Sequence, residues 1–202
     1  VNASWDLPIT GPHHYTWRNL IDDFHDLAIV YGTAAQDEAN HTLARRWQER
    51  VADAYIEILP PLLKDSAVDP ETAARHDLIV MGSAGDNTLL QRMAADLPVD
   101  LGDRSFRWRG RTYGAPSDGL ILVVPNPWNE DRVAYLVIAN SALQLYRMTQ
   151  SYPRRLGSWG LFTGPEIVAQ GYHPPQRLAL SLVEEEPRRW DTTSRGSVRR
   201  VR

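Results

Sequence analysis

Four short apolar runs constrain this chain more than any other feature. They are Leu27-Ala28-Ile29-Val30-Tyr31, Asp77-Leu78-Ile79-Val80-Met81, Gly119-Leu120-Ile121-Leu122-Val123-Val124 and Arg132-Val133-Ala134-Tyr135-Leu136-Val137-Ile138-Ala139. Each is apolar on consecutive positions, too short for a buried helix, rich in β-branched residues, and bounded by Gly, Pro or Asn. Such runs read as strands buried on both faces, inside a sheet with cover on each side. Between them the period changes. Ala39, Leu43, Ala44, Trp47, Val51, Ala54, Tyr55 and Ile58 recur at three- and four-residue spacing, which predicts a helix from Asp37 to about Ile58, capped by Thr33 or Asp37 and ended by Pro60-Pro61. Strands alternating with helices argue an α/β fold with a parallel or mixed sheet.

Smaller signals fill the gaps. Leu62-Leu63 is a short strand, and Asp69-Pro70-Glu71 opens a helical turn, with Asp as cap and Pro at the first helical position. Asp86 or Asn87 caps a helix over Thr88 to Leu97, and Asn140-Ser141 caps another from Ala142 to about Gln150. Ser105 to Tyr113 alternates polar and aromatic residues about Gly110, the pattern of a half-exposed hairpin. A further strand is expected at Leu178 to Val183. The resulting organisation is an N-terminal arm over 1–26, an α/β domain over 27–150, a C-terminal extension packing on it over 151–183, and a mobile Arg-rich tail over 184–202. The first residue is Val1, and no charged-then-apolar leader follows it, so the chain reads as a piece of something longer or as a processed form.

Composition excludes several functions. A formal net charge of -3 leaves no cationic excess for wrapping a phosphate backbone, so nucleic-acid binding is not expected. The absence of cysteine removes disulfides, thiolate metal sites and a cysteine nucleophile. No apolar run reaches the ~18 residues of a membrane span. The histidines His13, His14, His25, His41, His76 and His173 form neither HExxH nor a spaced ligand pair, so no metal and no cofactor is expected.

The candidate ligand-binding residues lie where the strands stop: Gly32 and Thr33 after the first, Gly82, Ser83, Asp86 and Asn87 after the second, and Asn126 and Trp128 after the third. In an open α/β sheet, ligands lodge at carboxyl ends of strands beside helix N-termini, so these loops suit a small anion or nucleotide. The same residue types also serve strand-to-helix turns in any α/β fold. Gly82 to Asn87 is not GxGxxG and lacks the Lys of a P-loop. Ser83 and Ser158 are the serines closest to a nucleophile context, yet neither sits in GxSxG, so no catalytic residue is assigned. Asp22, Asp23, His25 and Asp26 would need such a serine to act as a triad. The Arg107-Trp108-Arg109 run is a patch for nucleic acid or for an acidic ligand, or an ordinary exposed strand, and the net charge argues against the first.

The motifs in order carry a resemblance. Gly11 and Leu20-Ile21-Asp22-Asp23-Phe24, then Ile29-Val30-Tyr31-Gly32-Thr33, follow a "GPI-D-A-F … V-Y-G-T" pattern. Trp47, Asp77 to Gly82, Asn87, Leu97-Pro98, Gly110 to Tyr113, Asp118-Gly119, Pro125-Asn126-Pro127 with Asn129, and Arg132-Val133 continue it. Over about residues 11–145 the chain resembles the α/β domain that accompanies the α/β-hydrolase domain of bacterial secreted esterases and prolyl-oligopeptidase-like peptidases. It departs in the insertion His13 to Asn19 and in Trp128, where a small apolar residue is usual. The resemblance implies a three-layer, flavodoxin-like, mostly parallel sheet with an inserted β-hairpin, and favours secretion. It places the Ser–His–Asp machinery in a hydrolase domain or chain outside this sequence. It implies an accessory scaffold or substrate-positioning module, alone or self-associated, with a small-ligand-binding domain or a free-standing hydrolase as alternatives.

Overall fold

The computed structural model describes residues 26–54, 59–150 and 156–173. All but the last residue of the arm expected over 1–26, the end of the first helix at 55–58, the strand expected at Leu178 to Val183 and the tail over 184–202 lie outside the described residues. The strands are β1 (Leu27–Tyr31), β2 (Leu62–Lys64), β3 (Asp77–Gly82), β4 (Asp100–Gly102), β5 (Ser105–Trp108), β6 (Arg111–Tyr113), β7 (Asp118–Asn126), β8 (Asn129–Ala139), β9 (Trp159–Thr163) and β10 (Glu166–Gly171). The helices are α1 (Asp37–Ala54), α2 (Pro70–Arg75), α3 (Thr88–Met93) and α4 (Ala142–Gln150).

Period-two geometry divides the core. Ile29, Ile79, Ile121, Val123, Tyr135 and Val137 point to one face of the large sheet, where Leu43, Ala44, Trp47 and Val51 of α1 and Leu145 and Met148 of α4 cover them. Ala28, Val30, Leu78, Val80, Leu120, Leu122 and Leu136 point to the other face. There Ala73 of α2, Leu89, Leu90 and Met93 of α3, and Phe106 and Trp108 of β5 complete a second core. Cover on both faces is why these strands are apolar at every position.

The mostly parallel, three-layer flavodoxin-like sheet is not what forms. The large sheet has seven strands in the order β10-β9-β7-β8-β3-β1-β2. The β2-β1-β3-β8 half is parallel. The β8-β7-β9-β10 half is antiparallel. Chain length between strands is the reason. Asn126 pairs with Asn129, so only Pro127 and Trp128 join β7 to β8. A parallel crossover needs roughly a dozen residues, and so short a link permits only a hairpin. Thr163 pairs with Glu166 in the same way, so β9 and β10 must also run antiparallel. A strand buried on both faces carries the same apolar signature in either direction.

The hairpin expected about Gly110 belongs to a separate three-stranded sheet, β4-β5-β6, laid over one face of the large one. Its turn is Arg109-Gly110, between the paired residues Trp108 and Arg111. Both turn residues have positive φ, 51° and 82°, the requirement of a type I′ turn. Asn or Gly is the ordinary first residue of such a turn, and a bulkier one there costs about 1–2 kcal/mol. Phe106 and Trp108 point inward between exposed neighbours.

The short elements follow their capping residues. Asp69 accepts from Thr72 N at 2.7 Å ahead of Pro70, and starts α2. Asn87 Oδ1 accepts from Leu89 N and Leu90 N at 3.0 Å each, and starts α3. That helix becomes a 3-10 turn over Ala94–Asp96 rather than running evenly to Leu97. Ser141 Oγ accepts from Gln144 N at 3.1 Å at the head of α4.

Candidate functional site

Six of the eight candidate residues meet at the carboxyl ends of β1 and β3. Gly32 follows β1, and the backbone of Asp86-Asn87 crosses over it so closely that a Cβ at Gly32 would strike the Asp86 carbonyl. Ala34 N donates to that carbonyl at 3.0 Å, and Asn40 Nδ2 of α1 donates to the Gly32 carbonyl at 3.0 Å. Gly82 ends β3 with φ 123°, a conformation that favours glycine, and starts the turn to α3. Ser83 Oγ donates to Asp86 Oδ2 at 2.9 Å and accepts from Asp86 N at 3.2 Å. Asn87 Nδ2 donates to the Met81 carbonyl at 2.9 Å.

A residue without any motif binds these loops together. Asp65 follows the short strand β2 in a 3-10 turn and is 0% exposed. Its Oδ1 accepts from Thr33 N at 3.0 Å and Thr33 Oγ at 2.6 Å, and its Oδ2 accepts from Thr88 N at 2.6 Å. Burial pushes the Asp65 carboxyl up, but the Thr33 hydroxyl and the Thr88 N–H outweigh it and hold it below the ordinary aspartate value. Arg92 of α3 donates to the Asp65 and Val68 carbonyls at 3.1 and 2.7 Å. One carboxylate thus spans the loops after β1 and β2 and the head of α3. Thr33, expected as a cap of α1, is committed to Asp65 instead.

The consequence is chemical. An anion site at a helix head needs free N–H groups. Here the N–H groups of Gly85, Asp86, Asn87, Thr88, Leu89 and Leu90 all donate to protein oxygens. Among the described residues, the buried polar atom of this site left without a partner is Asp86 Oδ1, an acceptor that offers no donor to an anion.

Asn126 and Trp128 lie at the opposite end of the sheet, in the β7–β8 turn beside the amino ends of the parallel strands. Asn126 Nδ2 donates to the Ala73 and His76 carbonyls at 2.7 and 3.1 Å, and Asn129 Nδ2 to the Ala74 carbonyl at 2.9 Å. These bonds supply donors to the last carbonyls of α2, of which that of Ala73 also accepts from His76 N at 3.5 Å. Trp128 N donates to Asn126 Oδ1 at 3.1 Å, while its ring packs half-buried on the second core. The eight candidates therefore divide between two ends of the strands.

Ser83 and Ser158 are 2% and 3% exposed. Ser158 is held in the sheet, its carbonyl accepting from Val123 N and its N–H donating to Gly171 O, both at 2.8 Å. Among the described residues no group of three or more His, Asp or Glu is placed to hold a metal ion, and no helix is long and apolar enough to cross a membrane. No model of a known protein family matches the chain, and no curated protein matches it at a significant level.

Proposed function

We propose that the chain is an accessory, non-catalytic module of a serine hydrolase, an esterase or a peptidase, acting as scaffold or substrate-positioning unit. The observation that carries this reading is the Asp65 clasp. At the strand ends where an α/β protein ordinarily holds a ligand, Asp65, Asn87 and Ser83 take up the donors that would bind one. Two further points support it. Ser83 is buried and bound to a carboxylate, with no imidazole in that contact to act as base. The motifs that resemble the accessory domain of secreted hydrolases occupy turns and caps (Gly32-Thr33, Asn87 and Pro125-Asn126-Pro127) and a buried strand (Asp77 to Gly82 in β3), as a scaffold requires.

The test is co-isolation. The tagged protein, purified from its own cells, is treated with a fluorophosphonate probe and resolved by mass spectrometry. The expected result is one labelled serine in a hydrolase domain, either continuous with this chain or co-purifying with it. A preparation without any probe-reactive hydrolase overturns the reading.

A further inference from the structure

The chain leaves β10 along a path that strand pairing alone does not set. β9 pairs with β7 from Thr163 to Trp159, and one further ladder bond follows, from Val123 N to Ser158 O at 2.8 Å. In a regular antiparallel pair Ser158 N–H would return a bond to the Val123 carbonyl. It donates instead to the Gly171 carbonyl of β10, also at 2.8 Å. His173 takes the acceptor left over: its Nε2–H reaches the Val123 carbonyl at 2.6 Å. The chain crosses the start of β9 to get there. Trp159 Nε1 donates to the Tyr172 carbonyl at 3.3 Å. A Cβ at Gly171 would strike the Trp159 ring, and one at Gly157 would strike the Gly171 carbonyl. Tyr172 and His173 thus form a strap across β9, and the imidazole fastens its end.

A carbonyl only accepts, so the neutral ring carries its proton on Nε2 and leaves Nδ1 bare. A second proton, on Nδ1, turns the half-buried ring into a cation. Burial disfavours that cation first; the Val123 bond favours it, and the Arg109 guanidinium from the β5–β6 turn opposes it. Arg109 is fixed there, 4.2 Å from the Trp159 ring centroid. β9 carries no charged side chain, and the acids of β7 and β10, Asp118 and Glu166, stand at the far ends of their strands. The ring therefore holds a second proton more readily in water than on the strap. Acid favours the open form.

We infer that His173 is an acid-released latch: neutral, it fastens the strap across β9 to the Val123 carbonyl, and protonated, it lets the strap lift while the sheet stays folded. Lifting breaks the bonds made by His173 and by the Trp159 indole, and it spares the ladder between β7 and β9. The inference does not rest on the hydrolase reading, because each contact lies within this chain.

The test is solvent exchange of the Trp159 indole N–H in the full chain, followed by NMR between pH about 7.5 and about 5 and corrected for the intrinsic pH dependence of exchange. The amide of Val80, buried within β3, reports global unfolding. The expected result is faster exchange at Trp159 than at Val80 at every pH. Opening at Trp159 should also rise about tenfold per pH unit below 6.5, until the latched value is reached. H173Q keeps a donor for Val123 and does not titrate, so its exchange should be slow and flat with pH. H173A has no donor, and should exchange at least about tenfold faster than the parent at pH about 7.5, again without slope. Trp159 exchange that is flat with pH, that keeps the parent slope in H173Q, or that coincides with Val80 throughout overturns the inference. So does exchange in H173A as slow as the parent's at pH about 7.5.

Discussion

Asp65 and Thr88 lie 23 residues apart in sequence, yet Thr88 N donates to Asp65 Oδ2 at 2.6 Å. The other oxygen of the same carboxylate receives the Thr33 hydroxyl. Removing this carboxylate leaves half-buried donors from the loop after β1 and from the head of α3 without their acceptor. Asp65→Ala should therefore destabilise the protein by about 3 kcal/mol, measured as a lowered urea midpoint at unchanged slope. A change below about 0.5 kcal/mol would remove Asp65 from its role as clasp.

The same carboxylate should govern part of the acid limb of stability. Its folded value lies below 3.8, the value of an unperturbed aspartate. Its contribution is therefore present in full above that pH and is lost as pH falls through the folded value. The parent protein and Asp65→Asn should diverge in stability at neutral pH and converge in acid. A difference that stays constant down to pH about 2 would assign the effect to packing alone.

His173 predicts a second pH dependence. Its Nε2–H donates to the Val123 carbonyl at 2.6 Å. Burial, and secondarily the Arg109 cation that faces it, hold its pKa below the ordinary 6.5, although the Val123 bond opposes them. The folded state thus takes up a proton less readily than the unfolded chain. Stability should be greatest above pH about 6.5 and should decline as pH falls toward the folded value. His173→Gln should flatten that step. A parent profile without any decline between pH about 7 and about 5 would contradict it.

Asn126→Ala should cost about 2 kcal/mol, because the Ala73 and His76 carbonyls at the end of α2 lose the buried amide that donates to both, leaving Ala73 only the longer bond from His76 N. The loss should appear as faster amide exchange in α2 and the β7–β8 turn, with the distant Asp65 clasp unchanged. Equal acceleration at Thr33 and Thr88 would show that the two ends of the sheet do not behave as separate sites.

The strands β1, β2, β3, β7 and β8, the two short helix caps and the Arg109-Gly110 hairpin were legible because each depends on neighbours in sequence, whereas β4, β9 and β10, short and carrying Gly, were not legible as strands. Nor was the sheet's direction. Leu120, Leu122 and Leu136 are buried on both sides whichever way their strands run, and only the brevity of Pro127-Trp128 decides it. Asn126 and Asn87 look alike in a turn, but one ends a helix and the other begins one. Asp65 carried no signal at all. It sits in a polar stretch without period, and its burial is created by loops from three distant parts of the chain. The candidate residues at Gly32 to Asn87 did converge, though their N–H groups turn inward to one another and to Asp65.

The claim that this chain is the non-catalytic partner is tested most directly by intact mass after exposure of the purified chain to a fluorophosphonate probe. The account predicts an unmodified mass, with Ser83 held by Asp86 and Ser158 held in the sheet. A stoichiometric adduct mapped to either serine would contradict it.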